Sequence, residues 1–220
     1  VTDTLQRVWP DLSRALWETG YMVGVSMAAA LLFGIPLGIL LYVTNEGNLA
    51  ANRYVNTVVG WIVNIVRSFP FIILLVALIP LTRLLVGTTI GPTAAVVSLS
   101  VAAIPFFARL VEQNLREVPR GVVEMAVAQG ATGREVITKV LLPEALPGLV
   151  SSATVTGVSF IAFSAMAGAV GGGGIGDLAI RFGYYRFQTD VMIICVVLLV
   201  VIVQLIQWAG DRLTKAVDRR

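Results

Sequence analysis

The stretch Glu124–Pro143, EMAVAQGATGREVITKVLLP, is polar and helix-forming and lies between long apolar runs. Nearly every charge in the middle of the chain is in it or beside it. Residue types in this pattern suit docking rather than catalysis: an ordered, charged helical pair held outside the bilayer, where a second protein can reach it. No nucleophile–base pair and no metal-ligand cluster is visible. Histidine is absent, which removes imidazole catalysis, imidazole metal ligands and imidazole proton relays together. The single cysteine, Cys195, lies in an apolar run and reads as a small core or lipid-facing residue.

Two further features could carry chemistry. Arg67 is the one charge within a hydrophobic segment. It either faces water or the bundle interior with a functional role, or sits at the cytoplasmic interface and snorkels. Gly171, Gly173 and Gly176 satisfy G-x-G-x-x-G. A nucleotide fingerprint needs a preceding strand and a following helix. Here an apolar run precedes it, so the sequence predicts a turn. No G-x-x-x-x-G-K-[ST] occurs, so no P-loop holds ATP in this chain.

These residues are held by membrane helices. Charged residues make up 13% of the 220, about half the usual share of a soluble domain, and 57% are hydrophobic. A span needs about 20 apolar residues. The predicted fold is all-α and polytopic, a single transmembrane domain over 1–220 with five spans near 20–43, 55–81, 90–108, 147–170 and 191–209. Residues 1–18, with Trp9 and Trp17, read as an interfacial segment. The run that follows is too long for a signal-peptide core. Ser68-Phe69-Pro70 predicts a kink in the second span, and its exposed carbonyl could meet a polar solute.

Lysine and arginine counts set an orientation. With the N-terminus outside, five lie in outer segments (Arg7, Arg14, Arg83, Arg181, Arg186) and ten in inner ones (Arg53, Arg109, Arg116, Arg120, Arg134, Lys139, Arg212, Lys215, Arg219, Arg220). This bias predicts an outside N-terminus, a cytoplasmic C-terminus and a cytoplasmic insert at about 117–143.

Within the insert, Pro119 opens one helix. Gly130 suits the left-handed position that ends it. Thr132 with Glu135 matches a capping box for the next. Val136, Ile137, Val140 and Leu141 form its apolar stripe, and Pro143 is expected to stop it. The physics alone fits either an amphipathic pair lying on the bilayer or packing on the bundle, or a knob for a soluble partner's cleft. Ala126, Ala128, Gly130, Ala131 and Gly133 would permit close approach.

The spacing Glu124-Met125-Ala126, three residues, Gly130, nine residues, Val140-Leu141-Leu142-Pro143 resembles the EAA motif of ABC importer permeases, E-A-A-x3-G-x9-I-x-L-P. Met125 and Val140 are its two mild departures. Further segments resemble the methionine-importing members of that family: Leu41–Thr44, Arg67–Leu75, Leu141–Leu149, Ser164–Met166, Gly168–Gly171 and Ala209–Arg212. The resemblance covers the chain from about residue 17 onward.

The resemblance implies a permease subunit of an ATP-driven amino-acid importer, with methionine as solute, working as a homodimer by alternating access. It implies coupling helices, with Glu124, Ala126, Gly130, Ala131, Thr132, Leu142 and Pro143, seated in a groove of an ATPase. It implies two such ATP-binding subunits carrying ATP and Mg, and an extracytoplasmic substrate-binding protein touching the glycine turn. The bacterial inner membrane is the implied location. Arg67, Ser68, Phe163, Ser164 and Met166 are the candidate pathway residues. The hydroxyls of the fourth span read either as helix–helix bonds or as pathway lining. No catalytic residue, resident cofactor, metal or nucleic-acid partner is expected. The alternatives are import of another small solute and an ion-coupled secondary transporter. The latter usually needs Asp, Glu or His within spans, and none lies in these five.

Overall fold

The computed structural model describes residues 2–218, with side chains from Val8 onward. The side chains of Leu5 and Arg7, and Arg219 and Arg220 of the charge count, lie outside that description. The described chain is helical throughout and has no strand. It is an all-α polytopic membrane protein. Four helices are long and apolar enough to cross a membrane, and a bent pair raises the number to as many as five.

α1 covers residues 2–43. It comprises Thr2–Ala29, a π-turn Ala30–Gly34 and Ile35–Val43. The segment expected to lie at the interface is therefore the first part of a continuous helix. The stretch Val8–Val43 has 36 residues. At 1.5 Å each it spans about 54 Å, well beyond about 30 Å of hydrocarbon, so several turns stand outside.

A loop leads to α2 (Arg53–Ser68), whose Asn52 cap accepts a hydrogen bond from the Val55 N–H at 3.1 Å. Pro70 cannot continue that helix, and it forces Phe69 into extended backbone (φ −73°, ψ 130°). The chain turns through 104° into α3 (Phe71–Ala77). The predicted kink is thus a full elbow, and 55–81 is not one straight span. α4 (Ile79–Val86) follows, ended by Gly87 in the left-handed region.

α5 (Pro92–Arg116) extends about two turns beyond the expected 108. Its buried residues run from Ala94 to Leu115, which makes it the central helix. α1 lies close against it because Gly34 and Gly38 lack side chains. A Cβ on Gly38 would meet the Ala108 carbonyl at 2.5 Å and the Val111 side chain at 2.6 Å. In lipid, such close packing replaces water exclusion as the force between helices.

α6 (Arg120–Ala128) and α7 (Gly133–Gly172) complete the middle of the chain. Pro143 does not stop the helix there: the insert's second helix runs straight into the fourth span. The reason is the π-turn Val136–Leu141, where the Leu142 N–H donates to the carbonyl five residues back at Ile137. Pro143 then stands in the first turn of the next α stretch, where its missing N–H interrupts little. Pro36 follows the π-turn of α1 in the same way.

The backbone leaves α7 at Val170 and Gly171. α8, residues 174–184, packs Ile175 and Leu178 against Val8, Leu12 and Ala15 of α1. α9 (Thr189–Val217) lies outermost, with Gly210 set against Thr154 of α7. Cys195 is fully buried in the α1–α8–α9 cluster, so of its two readings the core one holds. Ile193, Val196, Val197, Val200 and Leu205 face outward. An apolar surface this long needs lipid or a partner to cover it.

Candidate functional site

The insert is built as two helices about a glycine. Gly130 has φ +85°, which an L side chain rarely adopts. Its N–H donates to the Val127 carbonyl at 2.9 Å, and the Ala131 N–H reaches back to Ala126 at 3.1 Å. That is a Schellman ending, with the glycine where the motif requires it. The next helix starts at a complete capping box. Thr132 Oγ1 accepts from the Glu135 N–H at 3.4 Å, and Glu135 Oε2 accepts from the Thr132 N–H at 3.1 Å. Lys139 Nζ adds an ion pair to Glu135 at 2.9 Å. This bond, the Thr132 bonds and the Lys139 charge hold the Glu135 carboxyl down at about 2.

The pair has one anchored side and one open side. Val136 and Leu141 are fully buried, and Ala126, Ala131, Ile137 and Leu142 pack on the core. α6 buries none of its residues: Glu124 and Gly130 are exposed, as are Met125 (58%) and Val127 (49%). Thr132 and Pro143 are exposed as well. A groove between α6 and the loop after α1 is lined by Tyr42, Asn48, Leu49, Arg120, Glu124 and Val127. The stretch Gly133–Gly172 has 40 residues. At about 60 Å it exceeds the hydrocarbon thickness, so its first turns have room outside the bilayer.

The pathway residues divide. Arg67 and Phe163 belong to one aromatic cluster at the elbow. Phe163 stacks on Phe71, with centroids 4.9 Å apart and planes at 11°, and meets Phe160 edge-on at 5.1 Å. Phe160 contacts Phe106 at 6.1 Å, and the Arg67 guanidinium lies 6.0 Å from the Phe106 ring. The Ser68 hydroxyl donates to the Asn64 carbonyl at 2.7 Å. Ser164 is buried, its hydroxyl bonded to the Ile161 carbonyl, whereas Met166 is 47% exposed on another side of α7. Thr154, Thr156 and Ser159 likewise bond carbonyls of their own helix. The cross-helix bond expected of this span's hydroxyls is made by Ser152, whose Oγ accepts from the Asn114 side-chain amide of α5 at 2.7 Å.

Sequence reasoning missed three groupings. Glu112 is buried at the end of α5, with Arg109 on one carboxylate oxygen and Arg116 on the other. Arg109 also donates to Asn64 Oδ1 at 2.7 Å, tying α5 to α2. The i+3 and i+4 spacing of these charges was readable once the helix was known to continue past 108. Phe71 and Phe106 join Arg67 to Phe163, which only the elbow reveals. Glu18 and Thr19 hold the glycine turn, accepting from the Gly174 and Ile175 N–H groups at 2.8 and 3.0 Å. The Gly91 N–H adds a bond to the Gly171 carbonyl at 2.8 Å. The turn has no strand before it, and G-x-G-x-x-G here is structural.

Residues 34–220 match the family described as "Binding-protein-dependent transport system inner membrane component". The chain is 52% identical to a probable D-methionine transport system permease protein MetI of Vibrio cholerae, covering 95% of this chain and 93% of that one. It is 45% identical to the methionine import system permease protein MetP of Bacillus subtilis, covering 96% and 95%. A solved MetNI methionine ABC transporter in an inward-facing conformation aligns with a TM-score of 0.95 at 50% identity, over 97% of this chain and 99% of that chain. An amino acid ABC transporter solved with histidines aligns at a TM-score of 0.81 and 16% identity, a likeness of fold alone. With a matched family over most of its length and relatives this similar, the chain belongs to the binding-protein-dependent transport system inner membrane components.

Proposed function

We propose that this chain is the permease subunit of an ATP-driven methionine importer. The observation that carries the reading is the Gly130-hinged helix pair. It is exposed along α6, and its second helix is continuous with α7, so a force applied to that helix passes into the bundle. Glu124, Ala126, Gly130, Ala131, Thr132, Leu142 and Pro143 form the ATPase-coupling region. Relatives named for methionine import support the solute.

Two copies of the chain form the pathway, and two ATPase chains holding ATP and Mg close on the cytoplasmic face. The N-terminus is outside, where a substrate-binding protein delivers the amino acid beside the glycine turn. The two ATPase arrangements contact the coupling pair differently, and that difference shifts the bundle between two packings. Arg67, Ser68, Phe163, Ser164 and Met166 are the pathway set. Ser164 contributes by bracing α7, Phe163 is packed on Phe71 and Phe160, and Arg67, Ser68 and Met166 are exposed.

Copurification tests the reading. A tagged chain should retain an ATPase, and labelled methionine uptake into proteoliposomes should require both chains and ATP. Uptake driven by a proton gradient without ATP would instead mark a secondary transporter.

A further inference from the structure

We propose that Arg67 is the receptor for the substrate carboxylate on the inner half of the pathway. This rests on the permease reading above and assigns one residue of that pathway its chemistry.

Two arginines meet near the elbow, and their surroundings differ. Arg109 is committed: Glu112 takes one side of its guanidinium and Asn64 the other. Arg67 is exposed, forms no ion pair among the described residues, and is set against the Phe106 ring. An arginine in an apolar segment needs water or an anion in contact with it. At 6.0 Å from the ring centroid the guanidinium spends no N–H on a carboxylate among the described residues, and its planar fork fits one brought by a ligand. The surrounding groups limit what that anion is. Phe106, 6.0 Å from Arg67, and Phe163, joined to Phe106 through Phe160, are only partly buried and offer an apolar surface. α2 ends at Ser68, so its last carbonyls face the elbow with the negative end of the helix dipole. A carboxylate for Arg67, an ammonium near those carbonyls and an apolar side chain on the phenylalanines together describe a zwitterionic amino acid.

The experiment uses the assembled permease–ATPase complex and a methionine analogue bearing a diazirine on its side chain. Irradiation should label peptides carrying Phe106 or Phe163. Methionine should compete, and methioninol, which has an alcohol in place of the carboxylate, should not. Arg67→Gln should weaken competition by methionine about tenfold or more, the scale of losing hydrogen bonds to a charged group. Arg67→Lys, which keeps the charge but loses the fork, should fall between. ATPase activity of the purified variants reports assembly. If Arg67→Gln does not assemble, Arg67→Lys and the methioninol comparison decide. Equal competition by methionine and methioninol, or unchanged competition in the variants, overturns the role of Arg67 and leaves the pathway reading standing. Absence of label anywhere in this chain overturns both.

Discussion

Glu18 and Gly174 lie 156 residues apart, and the Gly174 N–H donates to the Glu18 carboxylate at 2.8 Å. Thr19 takes the next N–H, from Ile175. These are the first free donors of α8, so a remote helix caps it. α1 thus holds the glycine turn through two of its N–H groups.

Removing these acceptors should loosen α8 selectively. Thr19 is buried, so Thr19→Val leaves the Ile175 N–H without a partner, at a cost of about 1–2 kcal/mol. Thermal unfolding in detergent should show a drop of several degrees. Hydrogen exchange should rise first over residues 170–180. An unchanged exchange pattern there would refute the cap.

The contact between α1 and α5 should tolerate no side chain at Gly38. Gly38→Ala should destabilise by about 1–3 kcal/mol, the usual cost of overpacking. Gly24→Ala, with open space around its Cβ, should be nearly silent. Thermal unfolding of the two variants checks the difference, and equal effects would count against close packing.

How legible was all this in the sequence? The insert was readable because its signals are local: Gly130 at a left-handed position, and Thr132 with Glu135 three residues on. The all-α membrane class followed from apolar runs of span length. The continuity of α7 through Pro143 was not readable, because a proline ordinarily stops a helix and the π-turn that admits it has no sequence signature. The place of residues 8–19 was also hidden. Leu12 and Ala15 become core only when Ile175 and Leu178 arrive from the far end of the chain. Among pathway residues, Phe163 and Arg67 share a cluster, whereas Ser164 and Met166 face apart. One helical turn separates such residues by angle, and apolar context alone does not say which angle is inside.

Glu112 supplies a third prediction. Glu112→Gln removes the charge that neutralises Arg109 and Arg116 in a buried setting. It should cost about 3 kcal/mol. Arg116 is half exposed, so Arg116→Gln should cost under about 1 kcal/mol. Denaturation of both variants should show that order, and a reversed order would contradict the burial of the carboxylate.

Glu135 gives a pH dependence with a definite sign. Its folded value of about 2 lies below the ordinary 4.5. Its contribution is therefore complete above about pH 4.5 and is lost as pH falls through about 2. Glu135→Gln should reduce protection of residues 132–139 in hydrogen exchange at pH 5, and the difference from the parent should vanish near pH 2. A difference that grows on acidification would contradict the capping box.

The coupling role of the hinge is tested most directly by the ratio of methionine imported to ATP hydrolysed, in proteoliposomes holding the full complex. Gly130→Pro places a fixed φ near −65° where the chain needs +85°. The account predicts that hydrolysis continues while import per ATP falls at least about tenfold. An unaltered ratio would contradict it.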